Sequence, residues 1–310
     1  MTVSFEGRVA IVTGAGVGLG RSHALGLAAR GCKVVVNDLG VATDGTSAGS
    51  DAANSVVAEI KAAGGEAIAN GADVTSVTDT QSMVADAIKA FGQVDILVNN
   101  AGILRDKTFI KMGLDDFAKV VDVHLMGAVN CTQAVWAHMN EREYGRIVMT
   151  TSASGMYGNF GQSNYGAAKA GVVGFMNVLA QEGAKRNVRV NTLAPTATTR
   201  MTEDLLPEEV LALLQPETIT PGLIALVTEE APTKMILGAG GGCFAETRIT
   251  ETKGVALKGD DLSVEGVLAA MDSIRDPDGA TTMDNAFSQT RKYAQMAAAV
   301  RGLPIPWENM

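Results

Sequence analysis

The stretch Arg8-Val9-Ala10-Ile11-Val12-Thr13-Gly14-Ala15-Gly16-Val17-Gly18-Leu19-Gly20 decides the fold of this chain. Its first half is a continuous apolar run, the pattern of a strand buried on both faces. Its second half places Gly14, Gly18 and Gly20 where that strand turns into a helical stretch reaching about Arg30. Missing side chains at such a turn let backbone N–H groups and the helix amino terminus, Leu19 included, approach a pyrophosphate. The spacing is GxxxGxG, and it gains meaning from lying directly after a buried strand.

Outward from that point, short β-rich runs alternate with longer amphipathic stretches. Strands are expected at 8–12, 33–37, 66–70, 94–98, 146–150 and 188–193, with helices near 51–63, 76–91, 114–141 and 162–185. Ser76 and Asp79 are placed to cap the helix that carries Val84, Ile88 and Phe91, and Gly92 follows its end. Strands alternating with crossover helices predict an α/β fold with a doubly wound parallel sheet. After about Gly242 a stripe of Val264, Val267, Leu268, Met271 and Ile274 is interrupted by Asp276-Pro277-Asp278-Gly279. A helix near 284–301 and an apolar tail at 303–307 follow. We expect residues 1–252 to form the nucleotide-binding domain with its site and lid. Residues 253–310 read as an extension too small for a core of its own, packed on the domain or a partner subunit.

A formal charge of −9 argues against nucleic acid and against an anionic membrane surface. Cys32, Cys131 and Cys243 have no paired spacing, which suggests a reducing compartment. Residues 1–8 lack a signal-peptide pattern, and no apolar run approaches the roughly 20 residues that span a bilayer. Glu308-Asn309-Met310 is not a peroxisomal address. Membrane insertion is not expected, no metal is assigned, and a cytoplasmic location is the default.

The candidate chemistry centres on Tyr165 and Lys169, four positions apart and so on one helix face. A fixed cation beside a phenol is expected to lower its pKa toward working range for general acid–base catalysis. Asp38 ends the second strand, where a carboxylate can accept both adenosine-ribose hydroxyls and repel a 2′-phosphate. The loop from Gly14 to Gly20 holds no Lys or Arg to receive such a phosphate, so NAD is expected over NADP.

Together with Asp73-Val74, Asn99-Asn100-Ala101-Gly102 and Ser152, thirteen positions ahead of Tyr165, these residues resemble the short-chain dehydrogenase/reductase family over about 5–240. The resemblance implies that Ser152 holds the substrate oxygen and Tyr165 transfers the proton. Lys169 would bind the nicotinamide ribose and tune the tyrosine. It places Asp73 and Val74 against the adenine, Asn100, Ala101 and Gly102 beside the cofactor ribose, and Pro195 behind the nicotinamide. Family members pair as homodimers or homotetramers through the helices starting near Leu114 and Gln162. His124 stands where the family has an asparagine whose backbone carbonyl holds a relay water, and Thr196 stands where glycine is usual. The expectation is that the relay survives and the imidazole is a satisfied structural group, although His124 stays among the catalytic candidates. Ser154 is expected to serve its loop.

The strings 36–40, 154–162, 194–197 and 200–202, with the long segment 39–50, resemble one branch. It is the (3R)-hydroxyacyl-CoA dehydrogenase part of the peroxisomal multifunctional enzymes of type 2. That implies NAD-dependent oxidation of a 3-hydroxyacyl-CoA, of fatty or steroid side-chain type, to the 3-oxoacyl-CoA. A hydroxysteroid dehydrogenase, a 3-oxoacyl thioester reductase and a non-catalytic nucleotide sensor are the alternatives. The stretch 196–215, with Met201, Leu205, Leu206, Leu211, Leu213 and Leu214, reads as a lid or as an ordinary packed helix. Arg105, Lys107, Lys111 and Arg200 are candidates for a basic rim that would hold an anionic CoA ester.

Overall fold

The computed structural model describes residues 3–40, 51–197 and 207–307. Several expectations therefore lie outside the described residues: most of the segment 39–50, Arg200, Met201, Leu205 and Leu206 of the lid stretch, and the tail 308–310. The described chain divides into two compact units, 1–246 and 247–310.

In the first unit, eight strands form one sheet. They are β1 (Val9–Thr13), β2 (Lys33–Asn37), β3 (Ala67–Asn70), β4 (Ile96–Asn99), β5 (Gly145–Thr150), β6 (Val188–Pro195), β7 (Ile236–Gly240) and β8 (Cys243–Thr247). Their order is β3-β2-β1-β4-β5-β6-β7-β8, and every pairing from β3 to β7 is parallel. Connecting helices are α1 (Gly18–Ala28), α2 (Asp51–Ala62), α3 (Val77–Phe91), α4 (Leu114–Val121), α5 (Gly127–Glu141), α6 (Ala153–Tyr157), α7 (Ser163–Glu182), α8 (Glu208–Leu213) and α9 (Thr220–Ala225). Ala10, Val12, Val34 and Val36 pack with Leu27, Val56 and Ile60 on one face. Their neighbours Ile11, Val35 and Leu97 pack with Met83, Val135 and Met176 on the other. Alternate strand residues thus point to opposite faces that are both covered, which is why the strands read as unbroken apolar runs. The strand order reverses between β1 and β4, and ligands of such sheets bind beyond the carboxyl ends at that switch point.

The six expected strands and the capping of α3 are present. Ser76 Oγ accepts from the Asp79 N–H at 3.2 Å, and Gly92 closes the helix at φ 87°. Two strands of this sheet went unread. Three of the five residues of β7 are glycine or alanine, and β8 is an exposed edge, so neither carries a strand periodicity. Gly241 and Gly242 join them with φ of 56° and 77°, as the two-residue hairpin turn between neighbouring strands requires.

The single helix expected at 114–141 is broken by a π-helical turn, Asp122–Met126, between α4 and α5. There the Gly127 N–H donates to the Asp122 carbonyl. The wider turn brings His124 inside, where it is 5% exposed. Gly127 leaves room for Val74, whose Cγ2 lies 2.7 Å from where a Cβ would stand.

The second unit holds β9 (Thr250–Glu251) paired antiparallel with β10 (Thr281–Thr282), α10 (Val264–Ala269), α11 (Met271–Arg275) and α12 (Ala286–Arg301). Among its described residues Ala298 alone is buried. Asn285 caps α12, and Lys292 Nζ reaches Glu251 at 2.7 Å.

Candidate active site

The carboxyl end of β1 opens into the glycine loop. Gly14 and Gly18 have φ of 61° and 55°, which a side chain would resist. A Cβ on Gly14 would stand 2.8 Å from Ala101 Cα, and one on Gly20 would stand 2.2 Å from the Gly14 carbonyl oxygen. Val17, at the amino terminus of α1, supplies no side-chain cap. A tight cradle without Cβ atoms, ending at an uncapped helix amino terminus, fits a dinucleotide pyrophosphate. Leu19 is half-buried and turns its side chain to the core, leaving its backbone to the loop.

The loop is braced from β4. The Asn100 amide donates to the carbonyls of Thr13 at 3.0 Å and Gly14 at 3.1 Å. Thr13 Oγ1 accepts the N–H groups of Asn100 and Ala101, both at 3.0 Å. Asn100 therefore spends its side chain on the shape of the glycine loop, and Ala101 packs against Gly14. Asp38 is held at the rim of the same loop. Its Oδ2 accepts the Gly16 N–H and its Oδ1 accepts the Gly40 N–H, each at 2.8 Å. The Asp73 carboxylate accepts both the N–H and the hydroxyl of Thr75 at 2.8 Å, which shapes its own turn, while Val74 is buried. Pro195 ends β6 opposite Ala239, and the Thr196 N–H donates to the Ala239 carbonyl at 2.8 Å.

The chemical group gathers at the end of β5. Ser152 caps α6, its hydroxyl oxygen accepting the Ser154 N–H at 3.2 Å, and it adjoins the half-buried Tyr165 phenol. Lys169, one turn further along α7, is 3% exposed, and its Nζ donates to the Thr150 carbonyl at 2.5 Å. That Nζ lies 5.5 Å from the Tyr165 ring centroid, so the two groups do share a helix face. The His124 ring meets Tyr165 edge-on, with centroids 5.1 Å apart at 87°. Gly102 makes space for it, since a Cβ there would fall 2.3 Å from His124 Cε1. Ile103 holds the ring from its main chain: its N–H donates to Nε2 at 3.1 Å, and its carbonyl stands 2.8 Å from the same nitrogen. Either tautomer is therefore clamped.

The electrostatics correct one expectation. Burial raises the Tyr165 phenol above its ordinary value, Ser152 offsets part of that, and the Asp106 charge adds to it. Burial also brings the Lys169 ammonium down to about 7. A cation that is itself losing its proton gives the phenol little help, so desolvation wins over the lysine in the protein alone. His124 is held well below its usual range by burial and by Lys169, and is neutral. Its Nδ1 is buried with no partner among the described residues.

Of the basic rim, Arg105 and Lys107 both pair with Asp116 at 2.9 Å, and Lys111 is exposed. Ser154 Oγ donates to Gln162 Oε1 at 2.8 Å, and Gln162 Nε2 donates to Asp106 at 2.6 Å, so Ser154 does serve its loop. Thr13, Ile103 and Thr150 were missed because they act through a threonine hydroxyl and main-chain carbonyls, which residue type does not advertise. Among the described residues no acidic, histidine or cysteine cluster could hold a metal. Among the described residues no helix is long and apolar enough to cross a membrane.

The chain is similar to several known proteins. Residues 8–209 match the short chain dehydrogenase family. A putative short-chain type dehydrogenase/reductase of Mycobacterium tuberculosis is 48% identical over 89% of this chain and 96% of its own length. The peroxisomal multifunctional enzyme type 2 of Drosophila melanogaster is 47% identical over 88% of this chain but only 46% of its own length. Its full-length structure matches with a TM-score of 0.77 at 37% identity, covering 93% of this chain and 48% of that one. A 7α-hydroxysteroid dehydrogenase solved with NADH and 7-oxo glycochenodeoxycholic acid matches at 0.70 and 31% identity, over 77% of this chain and 95% of that one. This chain belongs to the short-chain dehydrogenase family and is an oxidoreductase of hydroxyl and oxo groups. It spans about half the length of the multifunctional enzyme it resembles.

The buried lysine yields a stability prediction. Its folded pKa, about 7, lies below the ordinary 10.5. Between those values the unfolded chain binds more protons, so stability rises as pH climbs from about 7 toward 10. Below that window the lysine contributes no slope. Denaturant midpoints of wild type and Lys169→Met across this range should diverge, with the variant losing the rise. Parallel curves would contradict the burial.

Proposed function

We propose that this protein oxidises the 3-hydroxyl of a (3R)-hydroxyacyl-CoA to the 3-oxoacyl-CoA with NAD. The observation that carries the reading is the convergence of Ser152, Tyr165 and Lys169 beside a glycine loop whose rim is a carboxylate. Ser152 orients the substrate oxygen, and Tyr165, beside that serine, takes the hydroxyl proton. Lys169, seated on the Thr150 carbonyl, sets the position of the charge behind the phenol. Gly14, Gly18 and Gly20 with the α1 amino terminus would hold the pyrophosphate, Asp38 the adenosine ribose, and Pro195 the back of the nicotinamide. Bound there, NAD supplies the hydride acceptor. The Asp38 carboxylate repels a 2′-phosphate, which supports NAD over NADP.

The acyl-CoA assignment rests on the branch-specific strings 154–162 and 194–197 and on the multifunctional-enzyme relatives. Hydroxysteroid oxidation is the second reading, favoured by the match to the 7α-hydroxysteroid dehydrogenase. Pairing through α4, α5 and α7 into a homodimer or homotetramer belongs to the same reading.

Tyr165→Phe should lower kcat by roughly 10²–10⁴-fold with NAD affinity retained, as loss of a general acid–base group does. NADH formation against a panel of 3-hydroxyacyl-CoA esters, steroid alcohols and sugar alcohols measures this, and a variant that still turns over refutes the assignment. Asp38→Ala should raise KM for NAD about tenfold, the scale of a hydrogen bond to a charged group. An unchanged preference for NAD over NADP would remove Asp38 from the ribose site.

A further inference from the structure

Tyr165 is the third residue of α7, in a turn whose N–H groups have no partner further back in the helix. Helix ends fray unless something holds them, and a proton-transfer group must stay within hydrogen-bond reach of its substrate. Gln162, the residue before the helix, does not do the holding. It makes no side-chain cap: its Oε1 accepts from Ser154 Oγ at 2.8 Å and from Asn159 Nδ2 at 3.0 Å, and its Nε2 donates to Asp106 at 2.6 Å. Asn164 takes that task instead. Its side chain is fully buried, its Oδ1 accepts the Tyr165 N–H at 2.7 Å, and its Nδ2 donates to the Arg105 carbonyl at 3.0 Å. One partner offers a proton and the other a lone pair, so a neutral amide is the side chain that meets both.

We propose that Asn164 is a positioning residue for Tyr165, fixing the phenol by tying the tyrosine main chain to the Arg105 carbonyl. The tie is reinforced on both sides. The Lys107 N–H donates to the Gly161 carbonyl at 2.9 Å, and Gln162 holds Asp106, so residues 105–107 are strapped to residues 161–164 at three points. Helical side chains lean toward the amino terminus, which lays the phenol over this strapped turn. Two residues before Arg105, Ile103 grips the His124 ring that meets Tyr165 edge-on. One segment therefore sets both the ring beside the phenol and the main chain that carries it. The inference rests on Tyr165 as the proton-transfer group but not on the identity of the alcohol.

A double-mutant cycle separates this role from a contribution to folding alone. The assay uses NAD and the alcohol of the panel above that is oxidised fastest, with kcat expressed per NAD bound. Asn164→Ala should lower kcat by about ten- to a hundredfold, the scale of a displacement of about 1 Å at the reacting centre. KM for NAD should stay as in the wild type. In the Tyr165→Phe background the same substitution should change the residual kcat by less than about twofold, because the group it positions is gone. An equal loss in both backgrounds makes Asn164 a residue of general stability and overturns the proposal, as does an unchanged kcat in the single variant. If the alanine variant does not fold, Asn164→Asp takes its place in the cycle. It keeps the acceptor for the Tyr165 N–H and gives up the donor to Arg105. Its loss of kcat should be smaller and again confined to the chain that retains Tyr165, and a loss of the same size beside Tyr165→Phe overturns the proposal. Full turnover by Tyr165→Phe alone refutes the acid–base reading before Asn164 is changed, whereas equal losses refute the positioning role alone.

Discussion

A buried ammonium resting on a backbone carbonyl is the contact on which this site is built. Lys169 is withdrawn from water and given the Thr150 carbonyl in exchange. The Thr151 hydroxyl donates to the Lys169 carbonyl at 2.8 Å, so one turn of α7 is tied to the end of β5 through side chain and main chain together. Gly155 lets α6 close over that turn, since a Cβ there would stand 2.8 Å from Lys169 Cβ. Tyr165, one turn earlier, and Ser152, two residues past the strand, inherit their positions from this junction. A parallel sheet supplies the rest, because β1, β4 and β5 end side by side and deliver the glycine loop, its Asn100 brace and the lysine seat to one edge.

The same burial sets the charges. It raises the Tyr165 phenol, lowers the Lys169 ammonium and keeps His124 neutral. The protein alone therefore holds a protonated phenol beside a lysine that is only partly charged near neutral pH. On the proposed reading, the positive charge that poises this phenol for proton abstraction would arrive with the bound nucleotide, coupling proton transfer to occupancy of the cradle. Desolvation strengthens whatever charge interaction arrives there.

Much of this was legible in the residues. The apolar run before Gly14 announced a strand buried on both faces, and the alternation that follows announced the parallel sheet. Tyr165 and Lys169 could be paired from helical spacing, and Ser76 could be named as a cap. What stayed hidden depended on long-range packing. The π turn around His124 has ordinary helical residues on both sides, so nothing in its periodicity marks the change of register. β7 and β8 lack the alternation that identifies a half-buried strand. The commitment of Arg105 and Lys107 to Asp116 depends on how a loop folds back, and the raised phenol depends on burial that no local string reveals.

The central claim is that the Tyr165 phenol is poised by charge delivered with the nucleotide and not by Lys169 in the empty protein. A phenolate absorbance titration of wild type against Tyr165→Phe, with and without NAD, isolates that one group. The account predicts a difference signal that appears above the ordinary tyrosine range without NAD and moves to markedly lower pH with it. A signal at the same pH in both conditions, or one already low in the empty protein, would contradict the account.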